Sequence, residues 1–300
     1  MFNGLSAFPL TPMNEDGIKE KEYVNLIHRL VDAGVDSIGA LGSTGNYAYL
    51  NREERFRTLK LAVDSANGIP VMGSISAIRT LDVLRLAEDA QQAGVSAVLL
   101  APVSYHALSH DEVYALYEDV TRTLSVPLCV YDNPSTTHVH FSDELHGRIA
   151  RLPHVHSIKI PGVPPEPEAA KARVDTLRSL IPSHVTIGVS SDPSAFTGLL
   201  AGCEVWYSVL GGLFPKTCRR MTRLALEGYA EESHQIAACF EPLWSLFRQF
   251  GSLRVVAAAA EISGLISSPS LPLPLQPLNQ SSRDVLKPIV KVIHSIEKSS

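Results

Sequence analysis

Eight short apolar runs, at residues 5–10, 35–40, 70–73, 97–101, 127–131, 155–160, 185–189 and 205–210, alternate with stretches of helical periodicity. No other feature of the chain limits the choice of fold as strongly. The helical stretches include 19–33, 52–66, 81–93, 111–124 and 214–229. At three places the join has one form: Ala33-Gly34-Val35-Asp36-Ser37-Ile38, Ala93-Gly94-Val95-Ser96-Ala97-Val98 and Ala201-Gly202-Cys203-Glu204-Val205-Trp206. In each, a helix ends on a glycine that can take the left-handed cap, and a new apolar run begins at once. Runs apolar at successive positions have both faces buried, as parallel strands covered by helices do. Eight such units predict an α/β fold closed into a (β/α)8 TIM barrel rather than an open doubly wound sheet. No Gly-x-Gly-x-x-Gly follows the first run, so a dinucleotide-binding sheet has no support.

Three hundred residues can form one such barrel or two ordinary domains, and length alone does not choose. After about residue 228 the strand signals stop. Residues 231–250, 253–264 and 283–296 read as helices, with the proline-rich stretch 267–278 between the last two. Prolines that dense favour an extended connection, and its alternating leucines are expected to pack on the barrel. The expected organisation is a barrel over 1–228 that carries the chemistry, and a C-terminal helical extension over 229–300.

Charge and composition narrow the partners. The net charge is −5 with no basic block, so neither nucleic acid nor an anionic membrane is expected. Met1-Phe2-Asn3-Gly4 lacks the charged and apolar regions of a secretory signal, and the apolar stretch 255–260 is stopped by Glu261. Cys129, Cys203, Cys218 and Cys239 lie in apolar contexts without C-x-x-C spacing. They read as small hydrophobes in a reducing, cytoplasmic compartment.

The chemistry is expected where barrel enzymes carry it, at the C-terminal ends of the strands. Lys159 lies in His156-Ser157-Ile158-Lys159-Ile160-Pro161-Gly162. A buried ammonium is costly, and burial lowers its pKa and frees a neutral amine that can attack carbonyls. A lysine at a strand end that reaches water or pairs with a carboxylate is the plainer alternative. Strand parity places Val155, Ser157 and Lys159 on one face and His156, Ile158 and Ile160 on the other. Leu41-Gly42-Ser43-Thr44-Gly45-Asn46 follows the second run, and glycines flanking two hydroxyls can present N–H and O–H groups to an anion. Tyr131, in Cys129-Val130-Tyr131-Asp132-Asn133-Pro134, shares parity with Cys129 and can move protons at a barrel mouth. His138/His140 and His154/His156 have a spacing that can chelate zinc. The first pair lies in a loop and the second includes a residue facing the helices, so no metal site is expected.

Together, Gly42-Ser43-Thr44-Gly45, Tyr131-Asp132-Asn133-Pro134 and Ile158-Lys159 closely resemble the dihydrodipicolinate synthase/N-acetylneuraminate lyase family, from Phe8-Pro9-Leu10-Thr11-Pro12 through the Pro-Leu-rich tail. The resemblance implies a metal-free class I aldolase or lyase, without cofactor, on a (β/α)8 barrel that assembles as a homotetramer of tight dimers. Lys159 would form an imine with a 2-oxo acid, typically pyruvate, and Tyr131 would be the acid/base. Ser43 and Thr44, with Gly45 and Asn46 beside them, would hold the carboxylate. Tyr105 would reach a neighbouring subunit's site and complete a relay with Thr44 and Tyr131. Thr136 and Tyr207 complete the expected substrate-binding set.

Two departures affect the second substrate. Asn46 stands where the family commonly has Glu, and Thr136 stands where dihydrodipicolinate synthases proper have the arginine that binds the aldehyde's carboxylate. His106 replaces another commonly polar family position. Loss of a charge-assisted clamp argues against aspartate semialdehyde as partner. The expected function is therefore carbon–carbon bond formation or cleavage between a 2-oxo acid and an undetermined aldehyde. Dihydrodipicolinate synthase itself, a non-catalytic family member and a metal-dependent barrel aldolase are the alternatives.

Overall fold

The computed structural model describes residues 1–299. Eight strands lie where the apolar runs predict: β1 Gly4–Ala7, β2 Ser37–Ala40, β3 Val71–Ser74, β4 Ala97–Leu100, β5 Leu128–Tyr131, β6 Val155–Ile160, β7 Thr186–Val189 and β8 Val205–Ser208. Each is parallel to the next, and β1 pairs with both β2 and β8, which closes the barrel. A small hairpin, Met13–Asn14 with Gly17–Ile18, follows β1 and was not apparent from the pattern, because two-residue strands show no periodicity.

The helices around the barrel are α1 Glu20–Ala33, α2 Arg52–Ser65, α3 Thr80–Ala93, α4 His110–Thr121, α5 Pro134–Thr137, α6 Asp143–Ile149, α7 Pro167–Leu180, α8 Ala195–Leu200 and α9 Pro215–Leu226. Local chemistry sets their ends. Asn51 with Glu54, and Ser109 with Glu112, form reciprocal capping boxes at α2 and α4. Gly34 and Gly94 end α1 and α3 at φ 66° and 91°, the left-handed region that side chains with a Cβ avoid.

Side chains divide by strand parity into two cores. Phe8, Cys129, Tyr131 and Tyr207 belong to a small cluster inside the barrel, whereas Leu128, Val130, Ile158 and Trp206 belong to the large layer between strands and helices. Val155 departs from the predicted face and packs in that outer layer. Leu128 pairs with Val155 but Cys129 pairs with Ser157, so His156 is an extra residue and the strand bulges there. A bulge reverses the alternation, and parity counted from Lys159 fails beyond it.

The C-terminal region comprises α10 Ala230–Ala238, α11 Glu241–Phe250, α12 Ser252–Ile262 and α13 Gln280–Ser299. The single helix expected over 231–250 is two helices, with Pro242 in the first turn of α11, where its missing N–H costs no bond. Glu297 fastens the tail to the barrel. Its buried carboxylate accepts hydrogen bonds from the Lys216 and Thr217 amides at 3.0 and 2.8 Å and from the Thr217 hydroxyl at 2.6 Å. It thereby caps the start of α9, an interaction worth about 1–3 kcal/mol. In the proline-rich stretch Leu271 and Leu278 are buried, but Leu273 is exposed. Cys239 is also exposed, contrary to the apolar setting read for it, while the other three cysteines are buried. Among the described residues no helix is long and apolar enough to cross a membrane.

Candidate active site

Lys159 is the next-to-last residue of β6 and is 4% exposed. Three rings surround its ammonium: Tyr131 at 4.3 Å from Nζ to ring centroid, Phe8 at 5.2 Å and Tyr207 at 5.5 Å. Ring faces attract a cation, but they do not replace the water that burial removes. Burial therefore lowers the Lys159 pKa to about 7, with Cys129 and Asp192 opposing the shift. A sizeable fraction of the side chain is neutral amine near pH 7.

Tyr131 ends β5 directly beside Lys159 in the sheet register. Burial pushes its phenol up to about 12, and the Ser43 hydroxyl opposes that rise. The ring hydroxyl stays protonated at neutral pH and can hand over or take back a proton without resting as phenolate. The Asn133 amide donates to the Tyr131 Oη at 2.9 Å and to the Thr136 Oγ1 at 2.9 Å. Ser43 Oγ lies 3.5 Å from both Tyr131 Oη and Asn133 Nδ2. One small group of neutral hydroxyls and an amide thus joins the end of β5 to the loop after β2.

That loop is shaped by close backbone approach. A Cβ on Gly42 would lie 2.5 Å from the Phe8 ring, and one on Gly45 would lie 2.9 Å from the Leu41 backbone. Leu41 and Asn46, at its two ends, both have φ 58°; for leucine this is a strained conformation that costs roughly 1–3 kcal/mol. Thr44 is buried beside Ser43. The Asn46 amide donates to the Thr11 carbonyl at 3.0 Å, so this side chain anchors the loop from behind.

The other expected residues fall in different places. Tyr207 lies inside the barrel, its hydroxyl 2.6 Å from Ser157 Oγ and 3.4 Å from Cys129 Sγ. It forms the floor beneath Lys159. Thr136 is exposed at the rim, accepting from Asn133 and offering no charge. Tyr105 is 88% exposed, its ring packed only on His106, and it does not enter the site of its own chain. Among the described residues, no three His, Cys, Asp or Glu side chains are grouped to hold a metal ion. His156 is exposed and packs edge-on against His184.

Two neighbours of Lys159 escaped the sequence reading. Phe8 stands in the opening Phe8-Pro9-Leu10-Thr11-Pro12 motif, where nothing local shows that its ring faces the ammonium. Asp192, just past β7, is buried, and its carboxylate accepts from Trp206 Nε1 at 2.9 Å and from the Leu210 amide at 2.8 Å. Burial raises its pKa to about 6, while these donors and Lys159 pull it back. Its position after an apolar strand in a barrel was the available signal.

The dihydrodipicolinate synthetase family model matches residues 1–293. The chain belongs to the dihydrodipicolinate synthetase family. It is 30% identical over 296 residues to the 4-hydroxy-tetrahydrodipicolinate synthase of Persephonella marina, covering 97% of this chain and 98% of that protein. The crystal structure of a dihydrodipicolinate synthase from Agrobacterium tumefaciens superimposes with a TM-score of 0.93 at 41% identity, covering 97% of this chain and 98% of that one. The pyruvate complex of the chloride-inhibited Acinetobacter baumannii dihydrodipicolinate synthase gives a TM-score of 0.89 at 25% identity, covering 98% and 99%. The TIM barrel fold and a metal-independent carbon–carbon lyase chemistry built on a lysine imine go with membership of this family.

Proposed function

We propose that the protein is a class I aldolase or lyase in which Lys159 forms an imine with pyruvate or a related 2-oxo acid. The observation that carries this reading is a lysine buried at the rim of the barrel, with its pKa lowered to about 7 and a protonated tyrosine hydroxyl group beside it. The neutral amine attacks the 2-oxo carbon, and with the uptake of one proton water leaves, giving a protonated imine. Loss of a C3 proton then gives an enamine, which attacks the aldehyde carbon while the aldehyde oxygen takes up a proton. Hydrolysis returns the amine and releases the product. Cleavage is the same sequence reversed.

Tyr131 is suited to the proton transfers, with Asn133 holding its hydroxyl and Ser43 beside it, and Ser43 and Thr44 would meet the carboxylate. Tyr105, exposed on its own chain, is proposed to reach the site of a second copy in a homotetramer. The aldehyde differs from that of dihydrodipicolinate synthases proper, because Thr136 supplies no cation. Incubation with pyruvate and borohydride, followed by peptide mass spectrometry, tests the reading. A reduced adduct on Lys159 that forms equally well in the presence of a chelator is expected. If neither pyruvate nor other 2-oxo acids leave an adduct, the proposal fails.

A further inference from the structure

Behind Tyr131, on the outer side of β5, two buried ionisable side chains face each other and take no part in the chemistry above. Asp132 directly follows Tyr131 and is 6% exposed; His146 lies on α6 and is 1% exposed. His146 Nε2 is 3.4 Å from Asp132 Oδ2, and neither side chain has another hydrogen-bond or ion-pair partner among the described residues. The rest of their surroundings is closed. The Phe141 ring stacks on the imidazole with centroids 4.9 Å apart, and the buried Tyr117 gives its hydroxyl proton to the Leu100 carbonyl at 2.7 Å. A carboxylate and an imidazole are costly to bury alone, and each is here the only group that can offset the other.

Backbone bonds tie the pair to the site. The Asp132 amide donates to the Lys159 carbonyl at 3.0 Å, and the next residue, Asn133, donates its side-chain amide to Tyr131 Oη at 2.9 Å. Asp132 thus stands between the tyrosine and the residue that holds its hydroxyl, in the turn that fastens both to the lysine's strand. Its charge reaches the phenol as well. Burial is the first cause of the raised Tyr131 pKa, and the Asp132 charge acts in the same direction. A carboxylate that nothing offsets therefore opposes the negative charge that grows on the tyrosine oxygen as its proton leaves.

We propose that His146 and Asp132 are a positioning pair for Tyr131: His146 donates a ring proton to the Asp132 carboxylate, fixes the turn that carries Tyr131 and Asn133, and offsets the charge behind the phenol. Neither residue touches substrate. The inference rests on the reading of Tyr131 as the acid/base and extends the site into the layer between β5 and helices α4 and α6.

Two rates test it on the intact chain: exchange of the pyruvate C3 protons in deuterated water, and borohydride trapping of pyruvate on Lys159. His146→Leu should slow exchange about tenfold or more and change trapping less than about twofold, because the proton step alone feels the bare carboxylate. His146→Gln, which keeps a donor, should recover part of the loss. Asp132→Asn combined with His146→Leu should recover most of it, since no charge is left to offset. In a Tyr131→Phe background His146→Leu should have no further effect on exchange. The NMR spectrum of the wild-type chain should show a downfield imidazole N–H signal that Asp132→Asn removes, and this reading does not depend on whether His146→Leu folds.

Unchanged exchange in a folded His146→Leu variant, equal loss of exchange and trapping, a loss that persists without the Tyr131 hydroxyl, or the absence of that N–H signal would each overturn the pair. Full exchange in Tyr131→Phe by itself strikes the acid/base reading instead, and the pair's role falls with it.

Discussion

The two flanks of Lys159 differ in kind. Toward β5 lie Tyr131, Asn133, Thr136 and Ser43, uncharged groups joined by hydrogen bonds of 2.9 to 3.5 Å. Toward β7 lies Asp192, a buried acid whose charge favours the ammonium. A neutral network next to a buried amine can move protons without adding charge to a dry site. A carboxylate beside the same amine tunes its protonation. The division assigns proton transfer to one side and electrostatic tuning of the amine to the other.

Four measurements can break or sharpen that division, and all can be made with pyruvate alone, by following either exchange of its C3 protons in deuterated water or the rate of imine formation. Lys159→Ala should lower exchange by more than about a thousandfold while leaving the circular dichroism spectrum unchanged, since the electron sink is lost altogether. Comparable exchange in a folded variant would remove the centre of the comparison. Tyr131→Phe should slow exchange by about 10²–10³-fold with borohydride trapping of pyruvate less affected, because the proton step suffers more than the imine. Equal loss in both assays would mean that the β5 side organises the whole site rather than the proton.

The third concerns pH. Only the neutral amine attacks, and the Lys159 pKa is lowered to about 7. The rate of imine formation should therefore fall about tenfold per unit below pH 7 and level off above it. A limb near the ordinary lysine value would show that the amine is solvated. The smallest effect belongs to the β7 side. Asp192 favours the ammonium, so Asp192→Asn should move the limb to lower pH by less than about one unit. A shift upward would show that Asp192 does not act on Lys159 through its charge.

Much of the fold was legible because a barrel strand leaves a local trace. Each of the eight runs is apolar at neighbouring positions, and the glycines after α1 and α3 mark where a helix must stop. The inward face of Lys159 followed from a period of two residues, counted within four residues of sequence. Val155 shows the limit of that rule, since one inserted residue at His156 reverses the faces on its far side. Tyr105 shows another: nothing local in the sequence marks that its ring is exposed and lies outside the site of its own chain.

Alternation, capping and parity, which act over a few residues, were enough to specify a barrel and to place one lysine and one tyrosine on adjoining strands facing its interior. Barrel closure and the packing of the C-terminal helices decided the rest. They set Tyr207 against Ser157, fifty residues away in sequence, brought Asp192 within reach of the ammonium, and seated Glu297 at the start of α9. Those contacts depend on which strands become neighbours and on where a helix is seated, and neither leaves a periodicity in the residues concerned.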